Sequence, residues 1–212
     1  MEMYLIASRI AAAVRCGHTW TNPVNQSPAV QRAFSALPAL PLRVRVLENR
    51  LLVTASVDPT VPVNAELLAI DGRASAALIA DFMPYLRADG GNDGKRLSQL
   101  DSNENGGAMD RLLPLLHAPG ADGYTLRMRP RGGKVRTVTV AAMTAGERER
   151  RLIAAGNPMP GTDWRFEIDG NAATLTLPTF AFWNGGFDWN GFLDRSFATL
   201  EEKHIPNLIL DL

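Results

Sequence analysis

Apolar positions along the chain switch repeatedly between helical and strand spacing. Ile6, Ile10, Ala13 and Val14 follow the i, i+4, i+7, i+8 pattern of an amphipathic helix. The polar, turn-rich stretch "CGHTWTNPVNQS" follows, and Val30, Phe34 and Leu37 then carry a second helical stripe that Pro38 and Pro41 stop. From there the period becomes two. Leu42, Val44 and Val46 alternate with Arg43 and Arg45, "ENR" makes a turn, and "LLVTA" reads as the returning strand. Leu67, Leu68 and Ile70 predict a short strand, Asp71-Gly72 a tight turn, and Ala74 to Phe82 a helix.

Residues 87 to 107 read as a glycine-rich loop, followed by a short helix over Met109 to Leu116. "YTLRMRPRGGKVRTVTV" has the alternation of a hairpin turning at Gly132-Gly133. Residues 141 to 163 have the alanine-, charge- and then Pro/Gly-rich composition of a linker, with a helix over Glu147 to Ala155. Trp164, Phe166 and Ile168 alternate into a second hairpin with its turn near Asp169-Gly170. Asp188 is placed to cap a last helix bearing Phe192, Leu193, Phe197 and Leu200, and this leads into "LILDL", a run apolar enough for a strand covered on both faces.

The 22 basic and 22 acidic side chains balance, which argues against broad attraction to nucleic acid or anionic membranes. The Arg-rich stretches Arg127 to Arg136 and Arg148 to Arg151 read as solvated faces. No window approaches the roughly 18 apolar residues of a membrane span. The opening "MEMYLIASRIAAAVRCGH" is interrupted by Arg9 and Arg15 and carries Glu2, unlike a signal peptide. Cys16 is the only cysteine, which excludes an internal disulfide and a zinc site built from cysteines.

Three segments, in order, resemble the tail-specific, or C-terminal-processing, serine peptidases, a family that includes the tricorn protease core. "IAAAVRCGHTW" is similar to that family's helix ending in a Gly-His-Thr or Asp-x-His-Ser type motif. "NRLLVTASVDPTVPVNAELLAIDGR" with the later "RGGKVRTVTV" resembles its PDZ-like insert, and "ATLTLPTFAFWN" through "FLDRSFATLEEKHIPNLILDL" resembles the entry to its catalytic domain. The resemblance implies an α+β chain: an N-terminal helical segment (1–41), a PDZ-like β-rich domain (42–140), a linker (141–163), and the start of an α/β catalytic domain of the ClpP/crotonase type (164–212). It implies a serine-type peptidase acting on polypeptides, with a periplasmic or extracellular parent. It also implies that "LILDL" leads toward an Arg-x-Asn-x-Gly-Gly loop, with the nucleophilic serine beyond this chain. Asn64 departs from the glycine common before "AELLAIDG", but asparagine enters left-handed backbone readily. The carboxylate-binding loop of a PDZ domain is not identifiable in the pattern.

His18 is the candidate catalytic base, because an imidazole titrates near neutrality and can take a serine proton. The tricorn branch takes a histidine from this region, whereas the tail-specific branch uses a lysine near the serine. Thr19 reads as a turn hydroxyl that could orient His18. His117 and His204 have the positions of helix C-termini, and three scattered histidines make a poor metal constellation. "DSNENG", Asp101 to Gly106, starts like a calcium loop, but Leu112 stands where the bidentate glutamate belongs. "DGGNDG" fails earlier, at Gly91. No metal and no organic cofactor is expected. Phe180, Phe182, Trp183, Phe187 and Trp189 read as core or cleft lining, with Gly185-Gly186 between them. The alternative function is a non-catalytic PDZ-like peptide-binding or scaffold module.

Overall fold

The computed structural model describes residues 1–23, 25–102, 107–158, 161, 163–180 and 186–212. It is a mixed α/β fold with several sheets, and the chain divides into two compact units, Met1–Met159 and Pro160–Leu212. Among the described residues, no helix is long and apolar enough to cross a membrane.

The first unit opens with helices α1 (Glu2–Ala13) and α2 (Pro28–Ser35). Ser27 caps α2 through its side chain, and Pro28 follows at the position where its missing N–H costs nothing. Strand β1 (Pro38–Ala39) comes next, then the long hairpin β2 (Leu42–Leu47) and β3 (Arg50–Ser56). Its tight turn places Glu48 and Asn49 at φ of 49° and 59°. Two consecutive left-handed residues give the twist that matches paired strands.

Strand β4 (Glu66–Ile70) turns through Asp71-Gly72 into β5 (Arg73–Ala74), which opens helix α3 (Ser75–Phe82). Asn64, just before β4, sits at φ 65°, as its side chain permits. A 3-10 turn (Met83–Tyr85), helix α4 (Asp93–Ser98) and helix α5 (Ala108–Leu116) follow. Strands β6 (Tyr124–Arg129) and β7 (Arg136–Val140) form the second hairpin. The main sheet runs β2-β3-β4-β6-β7, antiparallel throughout, with β5 paired to β4. Leu51, Val53, Leu67, Leu78, Phe82, Leu113, Tyr124 and Leu126 meet in one buried core.

Three sequence expectations need correcting here. The stripe Ile6, Ile10 and Val14 is 48, 65 and 59% exposed, whereas Ser8 and Ala12 are buried and Leu5 packs on the core. The small residues let α1 approach closely, so its larger apolar face is left outward. Residues 87 to 107 are not all loop, because Asn92 accepts from Lys95 N–H at 2.9 Å and starts α4.

The third correction concerns the expected linker. The helix expected there is present as α6 (Ala145–Ala154), capped by Thr144, but strand β8 (Met143–Thr144) before it pairs with β1 and the segment packs on the first unit. Arg148, expected in a solvated face, is fully buried. Its guanidinium grips Asp110 with two bonds of 2.7 and 2.8 Å and donates to Leu40 and Leu42 carbonyls at 3.3 and 3.2 Å. Glu149 accepts from Arg148 at 3.0 Å and also pairs with Arg43, which reaches the Asn157 carbonyl at 2.9 Å. A buried charge persists only when paired and hydrogen-bonded. This network therefore ties α6 to β2 and α5.

The second unit is small. Strands β9 (Arg165–Asp169) and β10 (Ala172–Thr176) form an antiparallel hairpin, helix α7 (Trp189–Glu202) follows, and β11 (Asn207–Asp211) lies parallel to β10. Asp188 caps α7 through a 2.9 Å bond from Gly191 N–H, as expected. Trp164, Leu175 and Leu177 form its core against Phe166, Phe192 and Leu193.

Candidate active site

The geometry around His18 begins with how α1 stops. Val14 and Arg15 donate to the Ala11 and Ala12 carbonyls at 3.2 Å each, and Arg15 takes φ 54°. A left-handed residue at that point ends the helix and redirects the chain. Gly90 N–H then donates to the Arg15 carbonyl at 2.9 Å, and Gly17 N–H to Asp89 Oδ1 at 2.7 Å. A side chain at position 17 would push the Asp89 carboxylate aside. A Cβ there would lie 2.7 Å from Asp89 Oδ2.

These bonds bring Cys16, His18 and Asp89 together. The sulfur, an imidazole nitrogen and a carboxylate oxygen all lie within 4.8 Å of one another. His18 and Asp89 are exposed and Cys16 is half-buried. The His18 N–H, then the Thr19 hydroxyl, hydrogen-bond the sulfur and hold the Cys16 thiol below its ordinary range. Thr19 thus serves the turn, and its N–H also donates to the Cys16 carbonyl at 3.1 Å.

A shallow cleft beside this junction is lined by Ser8, Thr19, Trp20, Tyr85 and Arg87 among others. The Arg87 guanidinium lies 4.1 Å over the Trp20 ring, and burial lowers its pKa. Ser8 and Thr21 hydroxyls bond at 2.5 Å and fasten α1 to the loop. An imidazole with a carboxylate nearby is the pair of side-chain types that general-base catalysis uses.

The other histidines lie elsewhere. His117 is the C-cap residue of α5, and its Nε2 is 2.9 Å from Asp81, which Arg73 also holds. Arg73, then His117, pulls the Asp81 carboxyl below its ordinary range against the effect of burial. His204 follows the end of α7 at φ 49°. Of the "DSNENG" stretch, Asp101 accepts from Val46 N–H at 2.7 Å and Ser102 from Val44 N–H at 3.0 Å, so both brace β2. Residues 103–106 lie outside the described residues.

In the aromatic group, Phe180 and Phe187 meet Trp164 edge-on with centroids 5.8 and 5.5 Å away, yet stay 58 and 39% exposed. Trp189 is 41% exposed, and Phe182, Trp183 and Gly185 lie outside the described residues. What the sequence reading missed is Asp89 and Cys16 as neighbours of His18. Cys16 was visible in a Cys-x-His spacing, but Asp89 is joined only by the fold.

No protein-family model and no curated protein matches the chain. Among solved structures it is similar to mature CPAF complexed with lactacystin, at 17% identity and a TM-score of 0.47, over 82% of this chain and 40% of that one. A structure of mature CPAF aligns at 18% identity and a TM-score of 0.44, over 84% and 42% of the two chains. The chain thus spans about two-fifths of the length of the solved structures it matches.

Proposed function

We propose that this chain is part of a serine-type peptidase acting on polypeptides, with His18 as the catalytic base, a PDZ-like module within 42–140, and residues 164–212 opening an α/β catalytic domain. On this reading the nucleophilic serine belongs to chain not included here. The observation that carries it is the β10–α7–β11 unit. Two parallel strands joined through a helix are the building block of α/β enzyme sheets, whose working groups gather past the carboxyl ends of the strands. Thr176 and Asp211 stand at those two ends, in register with one another.

The exposure of β11 supports the same reading. Leu208, Ile209 and Leu210 are 37, 55 and 57% exposed, and β11 is the edge of its sheet. An apolar edge strand is a template for further pairing. For His18, the supporting features are its exposure and the carboxylate of Asp89 beside it. The alternative, a peptide-binding module without catalysis, would leave His18 without a proton to move.

Substitution of His18 in the protein made from the full reading frame separates the two. His18→Ala should lower polypeptide turnover by roughly 10²–10⁴-fold, the usual contribution of a general base, with the melting temperature unchanged. Turnover equal to the parent would remove His18 from the mechanism.

A further inference from the structure

We propose that Cys16, His18 and Asp89 form a binding site for a borderline-soft divalent metal ion of the zinc or cobalt(II) class. The set is a thiol, an imidazole and a carboxylate, the three side-chain types that zinc uses. Their ligand atoms already lie within 4.8 Å of one another. Tetrahedral coordination with Zn–S, Zn–N and Zn–O bonds of about 2.0–2.3 Å needs ligand atoms about 3.5 Å apart. A small rotation of the exposed His18 side chain, with Asp89 held by Gly17, closes that gap.

The backbone holds the ligands in place. Gly17 N–H occupies Asp89 Oδ1 at 2.7 Å, which orients the carboxylate from outside the coordination sphere and leaves Oδ2 for the ion. The Gly90-to-Arg15 bond of 2.9 Å closes the two segments on the other side. A bare glycine between the sulfur and imidazole ligands lets the carboxylate lie directly against the chain at position 17. Three protein ligands on an open surface leave the fourth position for water, the arrangement of exchangeable rather than sealed zinc sites.

The site stands without the peptidase reading, but has a consequence for it. An imidazole that donates its lone pair to a metal cannot also accept a proton. Where His18 is the base, zinc binding would therefore inhibit.

Cobalt(II) titration of residues 1–212 tests the site directly. The expected result is a saturable near-ultraviolet thiolate-to-cobalt charge-transfer band with visible bands of tetrahedral intensity, bleached by one equivalent of zinc. Cys16→Ser should abolish the charge-transfer band. His18→Ala and Asp89→Asn should each weaken binding at least about tenfold, the lower end of what even outer-shell partners cost. His204→Ala, a change at an exposed histidine outside the cluster, should bind as the parent does. Far-ultraviolet dichroism checks that each variant is folded. Absence of the band in the folded parent would overturn the proposal, as would a Cys16→Ser variant that binds as tightly. Zinc inhibition of turnover in the full-length protein is a separate reading: if cobalt binds but no turnover exists to inhibit, the metal site stands and the peptidase assignment falls.

Discussion

Strands β3 and β11 have similar apolar composition and opposite surroundings. Leu51 and Val53 in β3 are 0% exposed, between β2 and β4 and under α3. In β11, Leu208, Ile209 and Leu210 are more than a third exposed, and among the described residues the strand pairs with β10 alone. Both runs carry the residues that favour strands with covered faces. The first unit contains the elements that cover its strands. Among the described residues of the second, β11 is the outer strand of its sheet.

The sharpest way to test the contrast is to truncate the same kind of side chain in each unit. Leu51→Ala should cost about 2–5 kcal/mol, because a filled core loses both burial and packing. Ile209→Ala should change stability within about 0.5 kcal/mol, as at ordinary surface positions. Chemical denaturation monitored by dichroism reads both. In residues 1–212, a large loss at Ile209 would mean that β11 is covered in solution, and would close the gap between the two strands.

A second test concerns the closure of the first unit by α6. Arg148→Ala should destabilise by roughly 3–5 kcal/mol, since it strands the Asp110 carboxylate in a buried setting and leaves Glu149 to Arg43 alone. Replacing Arg148 and Asp110 together by apolar residues of similar volume should recover most of that loss. If Arg148→Ala is silent, α6 does not belong to the first unit's packing, and the expected linker over 141–163 regains its standing.

The smallest expected effect is a pH slope. Burial raises the Glu149 carboxyl pKa, but hydrogen bonds and charge from Arg43 and Arg148 outweigh it, so the group sits below its ordinary range. Asp81 is also held low, first by Arg73. A depressed folded pKa stabilises above the unfolded value, about 4, and that stabilisation is lost as pH falls through the folded value. Asp101 works in the opposite sense, because burial raises it. The first unit should thus weaken as pH drops from about 5 toward 3, and Glu149→Gln should flatten the slope. Midpoints that stay constant across that range would contradict the network's role.

Much of the fold was legible because period and turn chemistry agree. The β2–β3 hairpin combines alternation with Glu48 and Asn49, and the β4–β5 turn uses Asp71-Gly72 at φ of 49° and 79°. Asp188 as the cap of α7 was equally readable. The failures have a common cause, which is that distant partners decide them. Arg148 reads as solvated until Asp110 and the Leu40 and Leu42 carbonyls are placed around it. The α1 stripe reads as inward until Ser8 and Ala12 take the contact. Of the candidate site, His18 could be named from its motif, while Asp89 required the Gly17 and Gly90 backbone bonds to bring it near.

Labelling with a fluorophosphonate probe tests the peptidase assignment most directly. In the protein made from the full reading frame, the account predicts covalent labelling of one serine beyond Leu212, reduced in His18→Ala, and no labelling of residues 1–212 alone. A folded full-length protein that takes no label, or a label that maps within residues 1–212, would contradict it.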